Sequence, residues 1–253
     1  MRATRLRPWV EAALPLGLRR WLRRLQHPLR RWPARGWERF ETLRRLEPVS
    51  AVFGLDRGLP IDRYYIEGFL RRQASDIRGR VLEMGDDTYT RRFGGAKVTR
   101  ADVLAVVEGS RGATIIADLT HADRIPADTF DCIVFVQTLQ MIYDTRAALR
   151  HLHRILKPGG VLLATTHGIS KIGRRVEIDH WGEYWRFTTQ SALPLFQEAF
   201  QAGSVQVESH GNVLTAIAAL HGLAAQELER HELDYRDPDY EVLIAIRAVK
   251  ENR

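Results

Sequence analysis

From Arg80 onward, short apolar runs alternate with amphipathic stretches, and the two periodicities assign the elements. Val81–Met84 reads as a buried strand running into a turn at Gly85, with Glu83 two positions before the glycine. Lys97–Val103 is a second strand ending near Asp102, and Ala113–Ala117 a third, followed at once by Asp118. Phe130–Gln137 is apolar enough to be the centre of a sheet. A helix is predicted over Asp144–Lys157, where Ala148, Leu149, Leu152, Ile155 and Leu156 share one face. Lys157-Pro158-Gly159-Gly160 stops it by removing a donor and then freeing the backbone. Val161–Thr165 is the fifth strand and Gln190–Phe200 a helix; Val205–Glu208 is the sixth strand, Val213–Leu233 a long inserted helix and Tyr240–Val249 the last strand. Apolar strands separated by helices imply an α/β fold with a mostly parallel seven-stranded sheet and helices on both faces.

Ahead of this repeat, Gly54, Gly58 and Pro60 mark irregular backbone, and Ile61–Leu70 reads as a helix led by Asp62. The polar and aromatic cluster Asp62, Arg63, Tyr64 and Tyr65 suits either the cap of a pocket or the closing of a core edge. Residues 1–47 differ in kind. Leu18, Trp21, Leu22 and Leu25 fall on one helical face, and Arg19, Arg20, Arg23 and Arg24 fill much of the rest. A second short helix is predicted over Trp37–Leu46, making 1–47 a basic amphipathic N-terminal helical extension to a domain at 48–253.

Charge sharpens that division. Residues 1–47 hold thirteen arginines against four glutamates, a local +9, so the remaining 206 residues of this +7 chain sum to −2. A near-neutral domain argues against a nucleic-acid groove built into the domain itself, and a nucleic-acid partner is not expected. A basic helix with tryptophan on its apolar side suits either an anionic membrane surface or docking on a protein, such as a glycosyltransferase. Without a run of about 20 apolar residues or a secretory core, the expected compartment is the cytosol, with peripheral attachment to the inner face of the membrane as an option. One cysteine, Cys132, excludes an internal disulfide and reads as a small buried residue. His151 and His153 stand two apart on a helix and point to different sides, so no metal is expected.

The candidate chemistry lies at the strand ends. A strand closing on acid-x-Gly is where many α/β proteins begin a nucleotide pocket, because the backbone turns sharply and the missing Cβ lets a ligand approach. Asp102, Asp118-Leu119 and Phe130-Asp131 then follow in order, ahead of RILKPGGVLL at Arg154–Leu163. This ordered set resembles the class I S-adenosylmethionine-dependent methyltransferases, over a core of residues 78–205 and with a helical insertion at 213–233. The resemblance implies a Rossmann-like fold and S-adenosylmethionine as cofactor. It places Asp102 on the ribose hydroxyls, Asp118 on the adenine amino group, the backbone of Leu119 on the ring edge, and Glu83, Gly85 and Gln137 on the methionine half. The family's second and third glycines are replaced by Asp87 and Tyr89. Either Asp86 or Asp87 contacts the cofactor's ammonium group in a variant loop, or the loop is degraded.

The acceptor wall is expected in the polar, aromatic stretch after the fifth strand. His180 and His167 are the candidate bases for a hydroxyl acceptor, and Trp181, Glu183, Tyr184, Trp185 and Arg186 are the candidate substrate contacts. Aromatic faces beside carboxylates and imidazoles suit a sugar; the same aromatics also serve as a simple hydrophobic lid. The runs WGEYWRFT and DRGLPIDRYYIE resemble methyltransferases of bacterial glycan biosynthesis. That resemblance implies O-methylation of a saccharide or glycosylated small molecule and a role in polysaccharide biosynthesis. A catalytically silent binding domain and an RNA methyltransferase using the arginine arm are the alternatives.

Overall fold

A computed structural model describes residues 45–173 and 182–252. The amphipathic arm up to residue 44 and the candidates His180 and Trp181 lie outside the described residues. The seven strands are β1 (Gly79–Met84), β2 (Val98–Ala105), β3 (Ile115–Ile116), β4 (Phe130–Val136), β5 (Leu156–His167), β6 (Val205–His210) and β7 (Leu243–Val249). They form one sheet in the order β3-β2-β1-β4-β5-β7-β6. Only β7 runs antiparallel to its neighbours. This is the Rossmann-like order of class I methyltransferases. Strand order reverses between β1 and β4, and the crevice of an open α/β sheet opens there, at the carboxyl ends.

The helices cover the sheet by pleat. Leu82, Ile133 and Leu162 pack with Leu149 and Leu152 of α2 (Thr145–Ile155) and with Ala192 and Phe196 of α3 (Thr189–Gln197). Their sequence neighbours Val81, Cys132, Val134, Val161 and Leu163 face the other way. There they meet Ile66, Phe69 and Leu70 of α1 (Ile61–Arg72), Ala216 and Ala218 of α4 (Val213–His221), and Leu233 of α5 (Arg230–Asp234). α2 starts where the Asp144 carboxylate accepts from the Ala147 N–H at 2.9 Å, a side-chain N-cap.

Of the boundaries that differ from the sequence reading, three have a clear local reason. β2 continues three residues beyond Asp102, because Val103 and Leu104 remain paired to β1 through Glu83 and Met84. β5 begins at Leu156, ahead of the Pro-Gly-Gly, because Gly159 and Gly160 exchange backbone hydrogen bonds with Lys250 just past β7. The single helix expected over Val213–Leu233 is broken: Gly222, at φ +68°, ends α4, and a 3-10 turn at Ala225–Glu227 precedes α5.

That interruption has a use. The segment before α1 docks on it, with Ser50 N–H donating to the His221 carbonyl, Ala225 N–H to the Leu59 carbonyl, and Pro60 bridging Ala224. Beneath them the Arg57 guanidinium grips the Glu227 carboxylate, with the two side chains 3% and 0% exposed.

Candidate active site

The loop after β1 is built around Glu83 and Gly85. Glu83 is buried, and its two oxygens accept the N–H groups of Tyr89 at 3.1 Å and Thr90 at 2.7 Å, where the chain enters a π-turn over Thr90–Gly94. Burial pushes its carboxyl up to about 7, against the pull of those donors. Gly85 has φ +82° and donates to the Leu104 carbonyl at 3.0 Å. A Cβ added there would meet nothing within 4 Å, so the glycine answers to backbone conformation and leaves open space over the turn.

The neighbouring aspartates are engaged within the loop. Asp86 accepts from the Thr88 N–H at 2.9 Å in an Asx turn. Asp87 pairs with Arg91 at 2.6 Å, and that hydrogen bond holds its carboxyl below the ordinary range. The loop is also clamped from outside, where Arg92 forks onto Glu67 of α1 at 2.6 and 2.8 Å.

Asp102 leaves the site. It sits within β2 opposite Leu82 and is 1% exposed, with Arg80 at 2.7 Å and Arg100 at 3.0 Å on its oxygens and the Thr114 hydroxyl at 3.2 Å. Burial works against its ionisation and the two arginines overcome it, keeping the carboxyl below its usual range. The true end of β2 is Ala105, followed by Val106 and Val107, which are 44% and 55% exposed, and by exposed Glu108. Ala105 pairs with Ile116 of β3, which is 43% exposed and two residues before Asp118. Asp118 caps a 3-10 turn, with Oδ1 accepting from both the N–H and the hydroxyl of Thr120 at 2.8 Å. Leu119 is buried in the core. The third strand's end thus carries a carboxylate beside an exposed apolar shelf, which sequence reading of Asp118 alone missed.

At the end of β4 the chain turns through Gln137 in the left-handed region, at φ +49°. Its Oε1 accepts from Gln140 Nε2 at 2.9 Å, while its own Nε2 is buried without a partner among the described residues. Gln140 is wholly buried and accepts the Thr166 hydroxyl on Oε1 at 3.0 Å.

The wall expected to receive an acceptor begins one residue further, at the end of β5. His167 is 8% exposed and lines a cleft with Asp62 of α1, Phe53, Ile169 and Ala219. Burial lowers its pKa, against the opposing charges of Asp62 and Glu183. Glu183, with its side chain 3% exposed, lies 4.0 Å from His167 Nε2 and 2.9 Å from Arg186. Phe53, at φ +61°, is held by the Ser50 hydroxyl, which accepts from the N–H groups of Val52 and Gly54. The Lys171 ammonium lies 3.7 Å above the Phe53 ring. Tyr184 and Trp185 are 53% and 38% exposed and cluster with Tyr143, at ring separations of 5.3 and 5.8 Å. Trp185 is oriented by its indole N–H, which donates to the Ile142 carbonyl at 3.0 Å. They form an aromatic surface beside the cleft.

Comparison with known proteins supplies the family. A family profile described as "Methyltransferase domain" matches residues 61–201, more than half of the chain. A ubiquinone/menaquinone biosynthesis C-methyltransferase of Klebsiella pneumoniae (strain 342) is 32% identical over 127 residues, covering 40% of this chain and 49% of that protein. The chain spans about half the length of the curated relatives it matches. An S-adenosylmethionine-dependent methyltransferase from Mesorhizobium loti superposes with a TM-score of 0.50 at 18% identity, covering 78% of this chain and all of that one. Haemonchus contortus phosphoethanolamine N-methyltransferase 2, solved in complex with S-adenosyl-L-methionine, gives 0.51 at 15% identity, over 82% of this chain and 54% of that one. The profile match runs from α1 to α3, and with it the chain belongs to the methyltransferase-domain family.

Proposed function

We propose that this S-adenosylmethionine-dependent methyltransferase methylates a hydroxyl group of a saccharide or glycosylated small molecule, with His167 as the base. The observation that carries the reading is a buried imidazole of lowered pKa in a cleft at the carboxyl end of β5, next to an exposed aromatic surface. Three features support the fit of the cofactor. They are the open space over Gly85, the Nε2 of Gln137 that is without a partner among the described residues, and the apolar shelf of Val106, Val107 and Ile116 beside Asp118. When bound, the cofactor supplies an electrophilic methyl group on a sulfonium. Gly85 and Gln137 would hold its methionine half, Asp118 and the backbone of Leu119 its adenine, and Glu108 replaces Asp102 as the candidate for the ribose.

The protein's remaining task is to orient and deprotonate the acceptor. His167 is neutral near pH 7, because burial disfavours its charged form. Glu183 faces Nε2 and favours a proton there, which leaves Nδ1 to take the proton of the attacking hydroxyl. Arg186 holds Glu183 in place. Tyr143, Tyr184 and Trp185 offer faces for the C–H surface of a sugar ring.

The test is methyl transfer from radiolabelled cofactor to a panel of saccharides and phenols. His167→Asn should lower saccharide methylation about a hundredfold, in the range of general-base catalysis, with cofactor affinity within a few-fold of wild type. Wild-type activity should persist through neutrality and fall only in acid, below the ordinary histidine pKa. Methylation of phenols alone would reject the saccharide reading, and full activity of the variant would reject the base.

A further inference from the structure

Gln140 connects the two walls of the crevice. It lies in the 3-10 turn immediately after β4 and is 0% exposed, and each of its polar side-chain atoms is engaged. Nε2 donates to Gln137 on the cofactor side, at 2.9 Å. Oε1 accepts from Thr166 of β5, the residue before His167, at 3.0 Å. Its backbone carbonyl accepts the N–H groups of Tyr184 at 2.8 Å and Trp185 at 3.3 Å, so the aromatic stretch hangs directly on this turn. Two residues on, Phe187 N–H donates to the His167 carbonyl at 3.0 Å. The stretch Glu183–Phe187 is therefore pinned at one end to Gln140 and at the other to β5.

The cofactor end of this chain of bonds is incomplete. Gln137 holds a left-handed backbone conformation that only glycine adopts freely, and its Nε2 is buried with no acceptor among the described residues. A buried donor without a partner is unfavourable until an acceptor arrives. A ligand carboxylate or carbonyl at the end of β4 would supply one and would bias the Gln137–Gln140–Thr166 network toward a single arrangement.

We infer that Gln140 is a positioning residue that makes the acceptor surface at Tyr184–Phe187 conditional on cofactor, so that the cofactor binds first and firms the surface that receives the acceptor. The inference rests on the cofactor reading above, and the two fail separately.

S-adenosylhomocysteine serves as the probe, with calorimetry for binding and hydrogen exchange of a peptide spanning residues 182–187 for the response. Bound probe should slow exchange in that peptide at least threefold in the wild type. Gln140→Met keeps the backbone carbonyl and the side-chain length but removes both amide bonds. It should bind the probe within tenfold of wild type and lose the slowing. Thr166→Val cuts only the link to β5 and should lose most of it; that variant carries the test if Gln140→Met does not fold. Probe binding that leaves the wild-type peptide unchanged, or slows it equally in the variants, overturns the inference. A folded wild type that binds no probe overturns the cofactor reading, and the coupling with it.

Discussion

At the scale of single residues, the loop after β1 has its charge regulated by burial. Glu83 titrates at about 7 in the folded protein, against an ordinary value of 4.5. The folded state thus takes up a proton as pH falls from about 7 toward 4.5, and stability declines as pH rises through that window. Glu83→Gln removes the titration. Its melting temperature should lose less between pH 5 and pH 7.5 than that of the wild type, by roughly 4–8 °C for a domain of this size. His167 contributes with the opposite sign in both proteins and cancels in the comparison; an equal slope in the two would refute the Glu83 assignment. Glu83 and Gly85 were legible in the sequence because an acid-x-Gly turn is a local pattern. Asp102 was misread because a strand's end depends on its partner: Val103 and Leu104 stay paired, and Arg80 and Arg100 neutralise an acid that would otherwise mark the edge. Gln140 carried no signal at all, since its role lies in contacts to positions 26 and 44 residues away, at Thr166 and Tyr184.

Among the elements, the strands were readable from apolar runs and the helix α2 from its single face. The break of Val213–Leu233 was not, although Gly222 lies where a helix C-terminus would put one. The break matters because it carries Glu227 to Arg57 and so anchors the segment bearing Phe53. Both partners are buried, so removing either one takes a facing charge away from the other. Arg57→Met or Glu227→Leu alone should cost about 3–5 kcal/mol in urea unfolding, while the double substitution should recover much of the loss. Additive losses would show that the pair contributes nothing as a pair. Arg72 with Glu208, a solvated salt bridge elsewhere on the surface, should contribute under about 1 kcal/mol.

For the whole molecule, the sequence divides cleanly by charge: +9 in residues 1–47 and −2 in the rest. Composition is enough to read that division, whereas the partner of the basic segment is not written in it. Deleting residues 1–47 should abolish sedimentation with vesicles rich in anionic lipid and leave cofactor affinity unchanged; equal sedimentation of the two proteins would reject a membrane role. The described domain has a further property that follows from the Arg57–Glu227 contact, whose partners lie 170 residues apart. On the ribosome, β1 to β5 can pair as they emerge, but the segment bearing Phe53 has no seat until residue 227 is outside the exit tunnel. The side of the cleft around Phe53 thus closes late in synthesis, after β1 to β5, and a nascent chain released before that residue would hold Arg57 without its Glu227 contact and stay open at the cleft.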